Sequence, residues 1–217
     1  MRAGASNRES LTISGPAGLI EALLEEPKGL QRDMVAVVCH PHPLYHGTML
    51  NKVVHTLARA MNDLGVPAIR FNYRGVGASD GEYGDGLGEA DDALAVIAWA
   101  RDRYPEARVC LLGFSFGGMV ACRAALNTDT AYLVAVAPAV SRLAGILEGR
   151  QPDCPWLVVQ GDADEVVSCD EVIEWFNTLA PGPDLEVLPD VSHFFHGRLT
   201  VLREAVVSWF NTQLDES

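Results

Sequence analysis

The feature that most restricts this chain is the stretch 107–127, ARVCLLGFSFGGMVACRAALN. Residues 108–112 form a short apolar run rich in strand formers, and 119–126 is a run of small and apolar residues suited to a helix packed closely on a sheet. Between them, Gly113-Phe114-Ser115-Phe116-Gly117 matches G-x-S-x-G in strand-turn-helix context, the arrangement called a nucleophile elbow. So tight a turn needs small neighbours, which Gly113 and Gly117 supply, and it projects Ser115 from the strand end. A helix that starts just after Ser115 aims free N–H groups and a positive dipole end at any negative charge formed there. A plain glycine-rich turn with an incidental serine is the bland alternative, and the flanking strand and helix weigh against it.

With 217 residues and no linker-like stretch, the chain reads as one domain, 1–217, ordered from about 10 to 214, with disorder expected only at 1–9 and 215–217. Its 48% hydrophobic and 21% charged residues are those of a globular protein with a full core. A formal net charge of -13 opposes binding to nucleic acid or an anionic membrane, so neither partner is expected. The N-terminus lacks the apolar segment of a signal peptide and no stretch is long enough to cross a bilayer, so a cytoplasmic protein is expected. Five widely spaced cysteines, without a C-x-x-C pair, read as reduced packing residues. The sequence carries no signal for an oligomeric state.

Along the chain, 11–14 and 19–25 flank the turn residues Gly15-Pro16-Ala17-Gly18, which predicts an antiparallel hairpin. The run MVAVVC at 34–39 reads as a strand covered on both faces. Residues 51–64 place Val53, Val54, Leu57, Ala60, Met61 and Leu64 on one helical face. A strand at 68–73 leads into a polar, glycine-rich loop at 74–88. A helix follows at 89–104, its Asp91 and Asp92 read as a solvated first turn. Beyond the elbow, strands at 131–137, 156–160 and 185–188 alternate with helices at 169–179 and 199–214. Strands alternating with helices imply a mainly parallel sheet covered on both faces.

Ligands in such sheets bind outside the carboxyl ends of the strands. Polar residues gather there. After 156–160 comes Gly161-Asp162-Ala163-Asp164-Glu165-Val166-Val167, and after 185–188 comes Asp190-Val191-Ser192-His193-Phe194-Phe195-His196. Serine, acid and histidine thus follow one another in the chain order expected of one fold with this elbow.

These segments, with the loop Asn72-Tyr73-Arg74-Gly75-Val76-Gly77-Ala78-Ser79-Asp80-Gly81, make the chain resemble the α/β-hydrolases, and more narrowly the small bacterial lid-less serine hydrolases grouped near dienelactone hydrolase. The resemblance spans about residues 11–214 and implies an α/β-hydrolase fold: a mainly parallel twisted sheet, an N-terminal antiparallel hairpin, helices on both faces and no cap domain. Too few residues separate 137 from 156 to build a cap. Ser115 matches the family nucleophile, and because dienelactone hydrolases proper carry cysteine there, ester or thioester cleavage is favoured over lactone cleavage. The family acid falls on Asp164, with Asp162 as runner-up, and the general base on His193, with His196 at the surface or behind it.

What the resemblance implies chemically is a histidine that takes the serine proton during attack on an acyl carbon, an acid that holds the imidazole, and an acyl-enzyme released by water. The backbone N–H of Phe116 is the first expected oxyanion donor. The second belongs to the turn His40-Pro41-His42-Pro43: the N–H of His42, or else that of Leu44, since Pro41 and Pro43 have none. Leu44, Tyr45, Phe114, Phe116 and Phe194 are expected to line an open site for a small ester or thioester. No cofactor is implied.

Three other readings compete with this one. His40, His42 and His46 spell H-x-H-x-x-x-H, but the Asp-His pair that usually completes such a metal site is missing. Gly75-Val76-Gly77 lacks the third glycine and the helix of a dinucleotide loop, so a loop with Arg74 packed beneath the site fits better. A non-catalytic ligand-binding protein on the same fold is the competing class, and among enzymes a thioesterase, or a small amidase or peptidase, follows the esterase.

Overall fold

In the computed structural model, which describes residues 8–29, 31–147 and 149–215, eight strands form one sheet in the order β1-β2-β4-β3-β5-β6-β7-β8. Strands β1 (Arg8–Gly15) and β2 (Gly18–Glu25) pair antiparallel, and β2 runs antiparallel to β4 (Ala68–Phe71). From β4 onward, through β3 (Met34–Cys39), β5 (Arg108–Phe114), β6 (Tyr132–Val136), β7 (Trp156–Gly161) and β8 (Asp184–Leu188), every pairing is parallel. The expected hairpin is therefore present. It begins earlier than its apolar pattern predicts, because Arg8 and Glu9 pair with Glu25 and Leu24 although neither is apolar. Residues 1–7, also expected to be disordered, lie outside the described residues.

The sheet separates two cores, and the period-two alternation of strand side chains does the sorting. From β3, Val35, Val37 and Cys39 face one core, while Met34, Ala36 and Val38 face the other. Helices α2 (Leu87–Arg103), α3 (Phe116–Ala125) and α5 (Cys169–Phe176) close the first core with Ala93, Ile97, Met119, Val120 and Val172. Helices α1 (Lys52–Asp63) and α6 (Leu199–Asp215) close the second with Val54, Leu57, Met61, Leu202, Val206 and Phe210. Asn51 starts α1 by accepting the N–H groups of Val53 and Val54 at 2.8 and 3.4 Å, a cap worth about 1 kcal/mol.

Among the described residues no cap domain is built over the sheet. Among its described residues the segment between β6 and β7 carries only α4 (Val140–Leu147), a short helix that the sequence pattern does not announce. No helix among them is long and apolar enough to cross a membrane.

Candidate active site

Strand β5 ends at Phe114 and α3 begins at Phe116, so Ser115 alone makes the turn, at φ 56 and ψ -118. L residues seldom adopt such angles, and holding one there costs roughly 1–3 kcal/mol. Three backbone bonds hold it: the Ser115 N–H donates to Val136 O at 2.8 Å, and the Gly118 and Met119 N–H groups donate to Ser115 O at 2.9 and 3.2 Å. The flanking glycines are needed for space. A Cβ at Gly113 would sit 2.1 Å from Gly117 O, and one at Gly117 would sit 2.3 Å from Cys39 O and 2.5 Å from His40 O. The start of α3 is thereby pressed against the end of β3.

His193, 3% exposed, reaches Ser115 from the loop after β8, with Nε2 3.1 Å from the serine Oγ. Its Nδ1 lies 2.8 Å from Asp164 Oδ2, in the loop after β7. An Asp164 side chain with no exposed surface accepts the Val166 and Val167 N–H groups on Oδ1 at 2.8 and 2.7 Å. Burial works against the charged form, yet the His193 contact and those two N–H groups outweigh it and hold the Asp164 pKa below the ordinary 3.8. The carboxylate therefore stays ionised and fixes the imidazole with Nδ1 protonated and Nε2 turned to the serine.

The turn after β3 packs beside this trio. Tyr73 N–H can only donate, and it lies 3.2 Å from His40 Nε2, so the His40 proton sits on Nδ1, 2.7 Å from Pro41 O. Burial lowers the His40 pKa to about 3. Both of its nitrogens thus serve the backbone, and among the described residues no group of three His, Cys, Asp or Glu is placed to hold a metal ion. Leu44 N–H donates to His42 Nδ1 at 3.3 Å, whereas the N–H groups of His42 and Phe116 have no protein acceptor among the described residues.

A family model described as serine aminopeptidase, S33, matches residues 44–148. An uncharacterized protein of Rickettsia prowazekii is 32% identical over 92% of this chain and 87% of its own. An alpha-beta serine hydrolase homologue from Coxiella burnetii superposes with a TM-score of 0.88 at 42% identity, covering 92% of this chain and 96% of that one. A Xanthomonas campestris a/b serine hydrolase without lid gives 0.87 at 39% identity, covering 95% and 94%.

The chain belongs to the α/β-hydrolase superfamily.

In this hydrolase the two aspartates of the β7 loop part ways. Asp164 meets the histidine, while the exposed Asp162 accepts the Asp190 N–H at 2.7 Å and braces the turn after β8. His196 is exposed, with its ring 6.0 Å from that of Phe194. Of the expected pocket residues, Leu44, Tyr45 and Phe194 are exposed. Phe114 is not a pocket residue: the β5 alternation turns it into the α1/α6 core, where its fully buried ring lies 5.0 Å under that of His193. Phe116 is also buried, its ring 4.7 Å from that of His42.

A second correction concerns α2. Asp91 is exposed as expected, but Asp92 is fully buried and takes the Arg74 backbone N–H at 2.9 Å and its guanidinium at 2.8 Å. Glu89, one turn earlier and also fully buried, accepts Gly84 and Gly86 N–H groups. Together they anchor the 72–86 loop beside the site. Sequence reasoning also passes over Gln160, fully buried at the end of β7, whose Nε2 donates to Asp164 Oδ2 at 3.1 Å and Val167 O at 3.0 Å. The available signal is a lone polar residue ending an apolar strand, directly before the acid loop.

Proposed function

We propose that the protein is a cytoplasmic serine hydrolase that cleaves small or short-chain carboxylic esters through an acyl-enzyme on Ser115. The observation that carries this reading is the hydrogen-bonded order Ser115 Oγ, His193, Asp164, in which each group is oriented by the next. His193 Nε2 takes the serine proton as Oγ attacks the acyl carbon, and returns it to the leaving alcohol. Asp164 holds the tautomer this requires and stabilises the imidazolium. Water, activated by the same histidine, then releases the acid and restores Ser115.

The tetrahedral oxyanion needs donors already in place. Phe116 N–H, at the start of α3, is one. His42 N–H is the second in this account, favoured over Leu44 because the Leu44 N–H is spent on the His42 ring. The short α4 in place of a lid, with Leu44, Tyr45 and Phe194 exposed around the mouth, suits small acyl groups or ones tethered outside the site. Serine at the elbow, rather than cysteine, favours esters and thioesters over lactones.

A second reading, as amidase or small peptidase, is favoured by the serine aminopeptidase description of the matching family model. A panel of short-chain p-nitrophenyl esters, acyl thioesters and aminoacyl anilides separates the two. The proposal expects kcat/KM to rank esters first, thioesters second and anilides last. An anilide rate above the ester rate would replace the esterase with the peptidase.

A further inference from the structure

Beside Ser115, four side chains from three separate segments form a closed polar chain that the mechanism above does not use. Tyr83 Oη, in the loop between β4 and α2, lies 3.3 Å from His42 Nε2. The Tyr83 hydroxyl also donates to Asp85 Oδ1 at 3.2 Å and accepts from Arg142 Nη1, on α4, at 3.4 Å. Arg142 in turn pairs with Asp85. We propose that Tyr83 is a positioning residue for the oxyanion turn, its hydroxyl fixing the His42 ring and thereby the direction of the His42 N–H beside Phe116. This rests on the serine hydrolase reading above.

Proton placement supports it. Leu44 N–H occupies Nδ1, so the neutral His42 ring carries its proton on Nε2 and donates it to Tyr83. Tyr83 then has two donors pointing at its oxygen and one acceptor for its hydrogen, so its three contacts are matched in one arrangement. Burial and the Arg142 charge lower the His42 pKa, against the opposing pull of Glu89 and Asp85, which preserves the neutral form that can accept Leu44. The ring is also held by its neighbours, with Phe116 at 4.7 Å, Tyr45 at 4.9 Å and Tyr83 at 5.3 Å between centroids. Because the same imidazole caps the 3-10 turn Pro43–Tyr45, it cannot swing without releasing the Leu44 N–H that ties it to the turn. A donor whose direction is set in advance costs no reorganisation when the oxyanion forms.

Tyr83→Phe removes only the hydroxyl. We expect kcat on the best ester of the panel to fall about tenfold, a part of the hundredfold or more that losing an oxyanion donor costs, with KM within about twofold. Affinity for a trifluoromethyl ketone, whose adduct carries the oxyanion, should fall by the same factor while the thermal midpoint holds. Arg142→Met, at a half-buried position on α4, should lower the same two quantities about threefold. If wild type reacts with the ketone and Tyr83→Phe matches it in kcat and affinity, the positioning role is overturned and the hydrolase stands. Activity lost only in step with the thermal midpoint also overturns it. A wild type that neither turns over esters nor binds the ketone overturns both.

Discussion

His193 Nε2 lies 3.1 Å from Ser115 Oγ although 78 positions separate the two residues in the chain. The contact depends on Asp164, which grips the far side of the imidazole. Asp164→Asn would leave the shape and reverse the favoured tautomer, so kcat should fall by about three orders of magnitude or more. Asp162→Asn keeps a carbonyl oxygen for the Asp190 N–H and should keep kcat within about threefold. Steady-state kinetics on both variants decides it; the reverse ranking would transfer the role to Asp162.

The elbow glycines make a sharper stability test than any core residue. Gly117→Ala drives a Cβ onto the Cys39 and His40 carbonyls, backbone atoms that cannot swing aside. Urea unfolding should show a loss of about 2 kcal/mol or more. A methyl added at Gly145, inside α4, would meet nothing within 4 Å, so Gly145→Ala should be neutral or stabilising by up to about 1 kcal/mol.

Asp92 and Arg74 form a pair in which the carboxylate is wholly out of water. Asp92→Ala strands the guanidinium and should destabilise by about 3–5 kcal/mol. The double variant Asp92→Leu with Arg74→Met should recover much of that loss, because it leaves no unpaired charge. Additive losses in the double variant would show that packing, rather than charge pairing, dominates the site.

Much of this architecture is legible in the sequence because it obeys short-range rules. MVAVVC reads as a strand buried on both faces, and the spacing of Val53, Val54, Leu57 and Met61 as a helical stripe, without knowledge of what lies opposite. Asp92 escapes such reading because the same rules assign an acid near a helix start to solvent. Its true partner, Arg74, comes from a loop 18 residues earlier, and nothing local marks the pair. Phe114 misleads for a related reason: being next to the serine in sequence, it points away from it in a strand. The chain through Tyr83, Asp85, Arg142 and His42 is invisible because separate segments must fold together before those groups meet.

His40 gives the pH dependence its sign. Its pKa falls from the ordinary 6.5 to about 3 on folding, so the unfolded chain takes up a proton that the native state refuses. Stability should therefore decline as pH drops below about 6.5 and continue to decline until about 3. The slope is up to about 1.4 kcal/mol per pH unit from this one group. Urea midpoints at about pH 7, 6 and 5.5 measure it above the range where carboxylates titrate. A His40→Asn variant should lose most of that slope, keeping the share of His42 and His55, whose pKa values are also lowered, and an unchanged slope would assign the proton elsewhere.

The central claim is that Ser115 is chemically activated. Purified protein treated with a small fluorophosphonate and read by intact mass should gain one phosphonyl adduct, while Ser115→Ala, equally folded, gains none. Wild type that stays unmodified while folded, or an adduct that persists in Ser115→Ala, would contradict the account.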